Sequence, residues 1–267
     1  MATIKERILE LYEWSVKVSD PRTDKWLLLD NPLPIVGIFF MYLFVVWYGP
    51  RFMKHRDPVP LRLVIIPYNL ALVGLCAYMC HEFFISAYQS GYSLKCQPVD
   101  YSNSPLALRM ASVCWWFFFS KVIELLDTVF FILRKKSDQV TFLHVYHHCS
   151  MIINWYMGAK YVAGGQSFFV ALLNSFVHVF MYTYYGLAAI GPHMQKYLWW
   201  KRYLTKMQLT QFVLFLIHCD FPSGFMIAVF LYALSLIAFL VTSITTPTAA
   251  RRKRRSEVNE SFVVRCK

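Results

Sequence analysis

The chain has 267 residues, 57% hydrophobic and 18% aromatic, with 16% charged, against about 25% charged in ordinary soluble domains. That composition excludes a water-soluble globular enzyme and describes a protein built into a membrane. The formal net charge of +12 would suit a nucleic-acid binder, but the cations flank apolar runs and leave no soluble segment to carry a binding face, so nucleic acid is not an expected partner.

In chain order, residues 1–32 mix both charge signs and hold no short apolar run ending in a small-residue cleavage site, so no secretory signal peptide is expected. Apolar runs able to cross a hydrocarbon layer, which takes about 20 residues, are predicted near 33–49, 63–88, 113–133, 142–163, 168–190, 207–219 and 225–245. The sixth is short and must tilt or recruit residues such as Leu204. Lipid offers no hydrogen bonds to bare backbone, so each run should be an α-helix. The expected fold is an all-α membrane protein of seven transmembrane helices in a single domain, 1–267.

Most of the 27 Lys and Arg residues fall in 50–62, 134–141, 191–206 and the tail 246–267. Positive charge collects on the cytosolic side, which places the basic tail there and, after seven crossings, the segment 1–32 in the lumen. The run Arg251 to Arg255, directly after a span, reads as a cytosolic anchor that attracts anionic lipid. Of the 7 cysteines, Cys76, Cys80, Cys114 and Cys149 lie within spans and serve as small hydrophobes. Cys96 and Cys219 lie in loops on the opposite side, where an oxidising lumen permits a disulfide.

The third span, "WWFFFSKVIELLDTVFFILRKK", carries Lys121, Glu124 and Asp127 at three-residue intervals on one helix face. Each costs about 3 kcal/mol at the centre of a bilayer, so they should face the protein interior. A Lys121–Glu124 ion pair explains two of them and leaves Asp127 over. The fourth span opens with "TFLHVYHHCSM", whose His144, His147 and His148 stand at i, i+3 and i+4 and share a face. The fifth contributes Asn174, His178 and Tyr182 in one stripe, and the sixth Gln208 and Gln211 one turn apart. At about 1.5 Å per residue, Glu124, His147 and His178 lie at similar depths below the cytosolic ends of their spans.

Clustered imidazoles suit two chemistries. They can ligate metal, as the histidine boxes of di-iron lipid desaturases and hydroxylases do, but that needs many more ligands than the dispersed His55, His81, His178, His193 and His218 supply. Alternatively a neutral imidazole acts as nucleophile or general base in acyl transfer, because its ordinary pKa near 6.5 allows either role. Cys149, a second candidate nucleophile, points about 100° away from His148 around the helix.

The motifs "KVIELLDT" (121–128), "HVYHH" (144–148), "NSFVHVFMYTYY" (174–185) and "QLTQF" (208–212) together resemble the very-long-chain fatty acid elongases, in that family's order and across about residues 27–245. Among them the chain is most similar to animal elongases acting on very-long-chain saturated and polyunsaturated substrates. The resemblance implies a 3-ketoacyl-CoA synthase of the endoplasmic reticulum that condenses acyl-CoA with malonyl-CoA and releases carbon dioxide. It further implies that six of the seven spans form a barrel of two inverted three-helix units around an acyl tunnel closed toward the lumen. No metal and no cofactor beyond the two CoA substrates is expected.

In the family's ping-pong scheme the acyl group moves to a histidine before malonyl-CoA enters. Carried onto this chain, His147 is the nucleophile, His148 and His178 flank it, and His144 and Asp127 support them, with exchange of roles between His147 and His148 left open. Lys121, Glu124, Asn174, Tyr182, Gln208 and Gln211 complete the surroundings. Lys135, Lys136, Lys196, Lys201, Arg202 and Lys206, in the cytosolic loops nearest the motifs, are the candidates for CoA phosphates. The ketoreductase, dehydratase and enoyl reductase of the elongation cycle are the implied partners, alongside membrane lipid, and homo- or hetero-oligomers are compatible with the pattern. The competing class is a seven-span receptor or transporter with buried ligand-binding charges, but a receptor has no chemical need for clustered imidazoles.

Overall fold

A computed structural model describes residues 3–94, 97–218 and 234–238, which contain helices, turns and loops and no strand. The chain divides into two compact units, Met1–Asp220 and Phe221–Lys267. Of the second, only 234–238 are described, and they are helical. Most of the expected seventh span, the basic tail and the expected Cys96–Cys219 pair lie outside the described residues. Cys76, Cys80, Cys114 and Cys149 are free thiols, the first and third of them buried.

Helix α1 (Ile4–Lys17) opens with a capping box in which Thr3 and Glu6 satisfy each other's backbone amides. Helix α2 (Pro32–Phe52) starts from an Asn31 cap with proline in its first turn. Next come α3 (Arg62–Gln89), α4 (Pro105–Ile123), α5 (Leu125–Leu133), α6 (Phe142–Tyr161), α7 (Ser167–Ile190) and α8 (Lys201–His218). Helix α3 packs along α7 and against α4; α4 packs on α6, α2 on α5 and α6, and α8 on α7. Met79, Phe83, Phe117 and Ala171 are fully enclosed between these helices. Helices α2, α3 and α7 are each long and apolar enough to cross a membrane.

The third expected span is not one helix. It breaks at Glu124, where α4 ends and α5 begins. The Asp127 amide bonds the Glu124 carbonyl at 3.1 Å, a tighter three-residue closure at a residue that keeps helical angles. A break inside a membrane must have its freed backbone groups satisfied by the protein; here the Tyr68 hydroxyl donates to the Ile123 carbonyl at 3.3 Å. Asp127 stays within electrostatic reach of Lys121 and Glu124, while its own hydrogen bond comes from Tyr182.

At the end of the unit remote from the histidines, Arg22 ties three segments together. Its guanidinium donates to Asp20 Oδ2 at 2.5 Å, to the Asp100 carbonyl at 2.5 Å and to the Ala163 carbonyl at 3.0 Å. Lys160, fully buried, donates to the Leu29 carbonyl at 2.6 Å, and Thr23 caps the Ala159 carbonyl at 2.9 Å. These bonds join the loop before α2, the approach to α4 and the last turn of α6.

Helix α5 ends in a Schellman turn: the Lys136 amide bonds the Phe131 carbonyl at 2.8 Å and the Lys135 amide the Ile132 carbonyl at 3.0 Å. The residue at the left-handed position, φ 54°, is Lys135. Glycine is the usual occupant, and a side chain there costs about 1–2 kcal/mol. Next to this turn the bare Cα of Gly49 lets α2 approach α5, since an added Cβ would fall 2.9 Å from Ile132 Cγ2.

Candidate active site

Five helices, α4 to α8, supply the expected histidine-box and supporting residues, with Glu124 at the α4–α5 junction. On α6, Thr141 caps the helix through the His144 amide, fixing the start from which His144, His147 and His148 are phased onto one face. His148 is buried, its ring 4.3 Å from that of His144, 5.6 Å from that of His147 and 6.3 Å from that of Tyr42 on α2. His144 shares a 2.8 Å hydrogen bond between its Nε2 and Thr128 Oγ1, and Thr128 shares another of 3.1 Å with the Tyr42 hydroxyl. His147 is half-buried, the more open of the adjacent pair.

The second group lies at the α4–α5 break. Lys121 Nζ donates to Glu124 Oε1 at 2.8 Å and to Asn174 Oδ1 of α7 at 3.1 Å, and sits over the Phe117 ring at 4.4 Å. The same Glu124 oxygen accepts from Ser120 Oγ at 3.3 Å and faces His178 Nδ1 at 3.4 Å. That imidazole nitrogen makes no aligned hydrogen bond, and the contact is a close approach that becomes an ion pair only when the ring is protonated. Glu124 therefore makes the pair with Lys121 expected from the sequence and also stands against His178. Lys121, His178 and Glu124 all lie within electrostatic range of the His147 ring.

Asp127 belongs to a third group. It accepts from the Tyr182 hydroxyl at 3.0 Å, and the Tyr182 ring lies 5.7 Å from that of His178. Asp127 and Gln208 also line a cavity of about 300 Å³ that includes Arg134, Lys136 and Lys201 in its wall. None of the four histidines borders this cavity; Asp127 and Tyr182 stand between it and His178. Gln208 Nε2 reaches Met181 Sδ at 3.8 Å, and Gln211, one turn away, is buried with an unpartnered Oε1.

Of the six candidate CoA cations, Lys136 and Lys201 border the cavity. Lys135 does not: its ammonium donates to the Lys54 carbonyl and lines a separate groove beside α2. Lys196 lies over the Tyr197 ring, and Arg202 and Lys206 over that of Tyr203. Arg134, Thr128 and Tyr42 were missed from the sequence. Arg134 precedes the two lysines and could have been nominated with them, whereas Tyr42 is one aromatic among many in α2. Among the described residues, no group of three or more His, Cys, Asp and Glu side chains could hold a metal ion.

Residues 27–243 match the model of the ELO family, described as GNS1/SUR4. The chain is 50% identical over 245 residues to very long chain fatty acid elongase 4 of Homo sapiens, covering 89% of this chain and 78% of that protein. It is 49% identical over 256 residues to the Mus musculus elongase 4, covering 93% and 82%. To very long chain fatty acid elongase 1 of Homo sapiens it is 51% identical over 214 residues, covering 80% and 77%.

Proposed function

The chain belongs to the ELO family, and we propose on that footing that it catalyses the condensing step of fatty acid elongation. A long or very-long-chain acyl-CoA and malonyl-CoA give a 3-ketoacyl-CoA two carbons longer, carbon dioxide and free CoA. The reading rests chiefly on one observation: the buried His178 faces the buried Glu124 carboxylate, and Tyr182 and Asp127 connect that imidazole to a cavity walled by three cations.

In the first half-reaction a His147 ring nitrogen attacks the thioester carbonyl carbon, and the C–S bond breaks as CoA leaves with a proton. Malonyl-CoA then loses its carboxylate as carbon dioxide, and the resulting carbanion attacks the acyl-imidazole carbonyl. A new C–C bond forms, the acyl C–N bond breaks, and His147 takes up one proton as it departs as the free imidazole. His178, held toward Glu124, and His148, held between His144 and His147, are placed to move protons and steady the developing oxyanion. Arg134, Lys136 and Lys201 bind CoA phosphates, and the reaction uses no cofactor beyond its substrates.

The wider arrangement in this reading is seven spans, six of them forming a barrel of two inverted three-helix units around the acyl tunnel. Its lumenal end is closed by the Arg22 and Lys160 contacts. The N-terminus is lumenal, the C-terminus cytosolic, the membrane that of the endoplasmic reticulum, and the enzymes of the remaining cycle steps are its neighbours.

Incubating purified protein with a long acyl-CoA and no malonyl-CoA should release one equivalent of CoA and add the acyl mass to the tryptic peptide containing His147. Release of CoA without an adduct, under conditions that trap acyl-imidazoles, would refute the acyl-histidine step. Arg134→Gln should raise KM for acyl-CoA about tenfold with kcat little changed, because a phosphate contact made equally in ground and transition states contributes only to binding. An unchanged KM would remove Arg134 from the CoA site.

A further inference from the structure

The groove that takes Lys135 has a volume of about 340 Å³ and lies between the end of α2 and the turn after α5. Val46, Met53 and Ile132 form its apolar floor, and Lys54, Lys135 and Ser137 supply its polar groups. It is separate from the CoA cavity, which takes the cations on either side of Lys135 in sequence, Arg134 and Lys136. The left-handed turn at Lys135 thus directs adjacent cations to two different recesses. A lysine in place of the glycine favoured there carries a conformational cost, and strain of this kind accumulates where a side chain is needed.

The surroundings place the groove at a membrane surface. Phe44, Trp47, Tyr48 and Phe52 are exposed along the outer face of α2, and the polar segment Lys54–Asp57 follows at once. Aromatic residues next to a change from apolar to charged sequence mark the headgroup level. Arg51 lies over the Trp47 ring at 4.6 Å and Arg56 over the Phe52 ring at 4.0 Å, which fits the same boundary. A ligand in the groove therefore meets an apolar floor flanked by Lys54, Lys135 and Ser137, with the acyl region of the bilayer beside it.

We propose that this groove is a binding site for an anionic phospholipid, with Lys54, Lys135 and Ser137 holding its phosphate and the apolar floor taking the first carbons of its chains. Two lysines select for charge, so a zwitterionic lipid, whose own ammonium cancels the phosphate, binds less well. The inference rests on the reading of α2 as a membrane span and not on the condensing chemistry.

Native mass spectrometry of the full-length protein in detergent, titrated with dioleoyl phosphatidic acid or dioleoyl phosphatidylcholine, tests it. The wild type should retain one phosphatidic acid at least tenfold more tightly than phosphatidylcholine. The Lys54→Gln/Lys135→Gly variant should lose that one lipid while keeping the weaker adducts of the basic tail. Glycine relieves the left-handed turn, so an unchanged or raised melting temperature will show that the loss is not unfolding. Equal retention of the two lipids by the wild type, or undiminished phosphatidic acid binding by the variant, would overturn the proposal. So would displacement of the lipid by adenosine 3′,5′-bisphosphate, which would assign the groove to the phosphates of the carrier nucleotide.

Discussion

His147→Ala should lower incorporation of labelled malonyl-CoA carbon into long acyl-CoA by more than about a thousandfold, the order expected when a covalent nucleophile is removed, and should abolish the acyl adduct. The reason is geometric. His144 has Nε2 committed to Thr128, His178 has Nδ1 turned toward Glu124, and the His148 ring is enclosed by His144, His147 and Tyr42. His147 is left as the more open imidazole of the HVYHH pair and lies in range of His178. His148→Ala should slow the reaction yet leave the adduct detectable after long incubation with acyl-CoA. A reversed pattern, with adduct in His147→Ala and none in His148→Ala, would exchange the two roles. Thr128→Val removes the hydroxyl bonded to His144 and should cost activity without eliminating it.

The second large effect is expected at the buried ion pair. Both side chains of Lys121 and Glu124 are 2% exposed. Removing one partner strands a charge, at a cost of about 3–5 kcal/mol. Glu124→Ala should therefore lower the melting temperature in detergent by roughly 10 °C and reduce the yield of folded protein. Replacing both, as Lys121→Met/Glu124→Leu, removes the stranded charge and should recover most of that stability, since apolar substitution of a whole buried pair is often neutral. Activity should not recover, because His178 loses the carboxylate it faces at 3.4 Å. Recovery of elongation in the double variant would reduce Glu124 to a structural role; a double variant as unstable as the single would deny that the pair carries the stability.

The helices and the box were legible because their signals are long or periodic. Span boundaries predicted at 33–49, 63–88 and 168–190 became helices Pro32–Phe52, Arg62–Gln89 and Ser167–Ile190, as continuous apolar runs bounded by polar or proline-bearing segments should. The three-and-four spacing of His144, His147 and His148 foretold a shared face because helix geometry leaves little choice. The break at Glu124 was hidden: no glycine or proline stands near it to mark a helix end, and its signs are the tertiary contacts of Glu124 and Tyr68. Tyr42 could not be distinguished in a helix rich in aromatics, because its value lies in a hydroxyl placed opposite Thr128, 86 residues away. Charge counting grouped Lys135 with Lys136 because a list of cations contains no backbone angles.

That last point reaches beyond these two lysines. Three consecutive positive side chains are sorted between two recesses by the phase of a single turn, so the spacing between Leu133 and Ser137 matters as much as its composition. A chain one residue shorter or longer there could keep every charge and still present the wrong one to each recess. In comparing relatives, an insertion at this place therefore signals a changed distribution of charge between the recesses more strongly than an exchange of arginine for lysine.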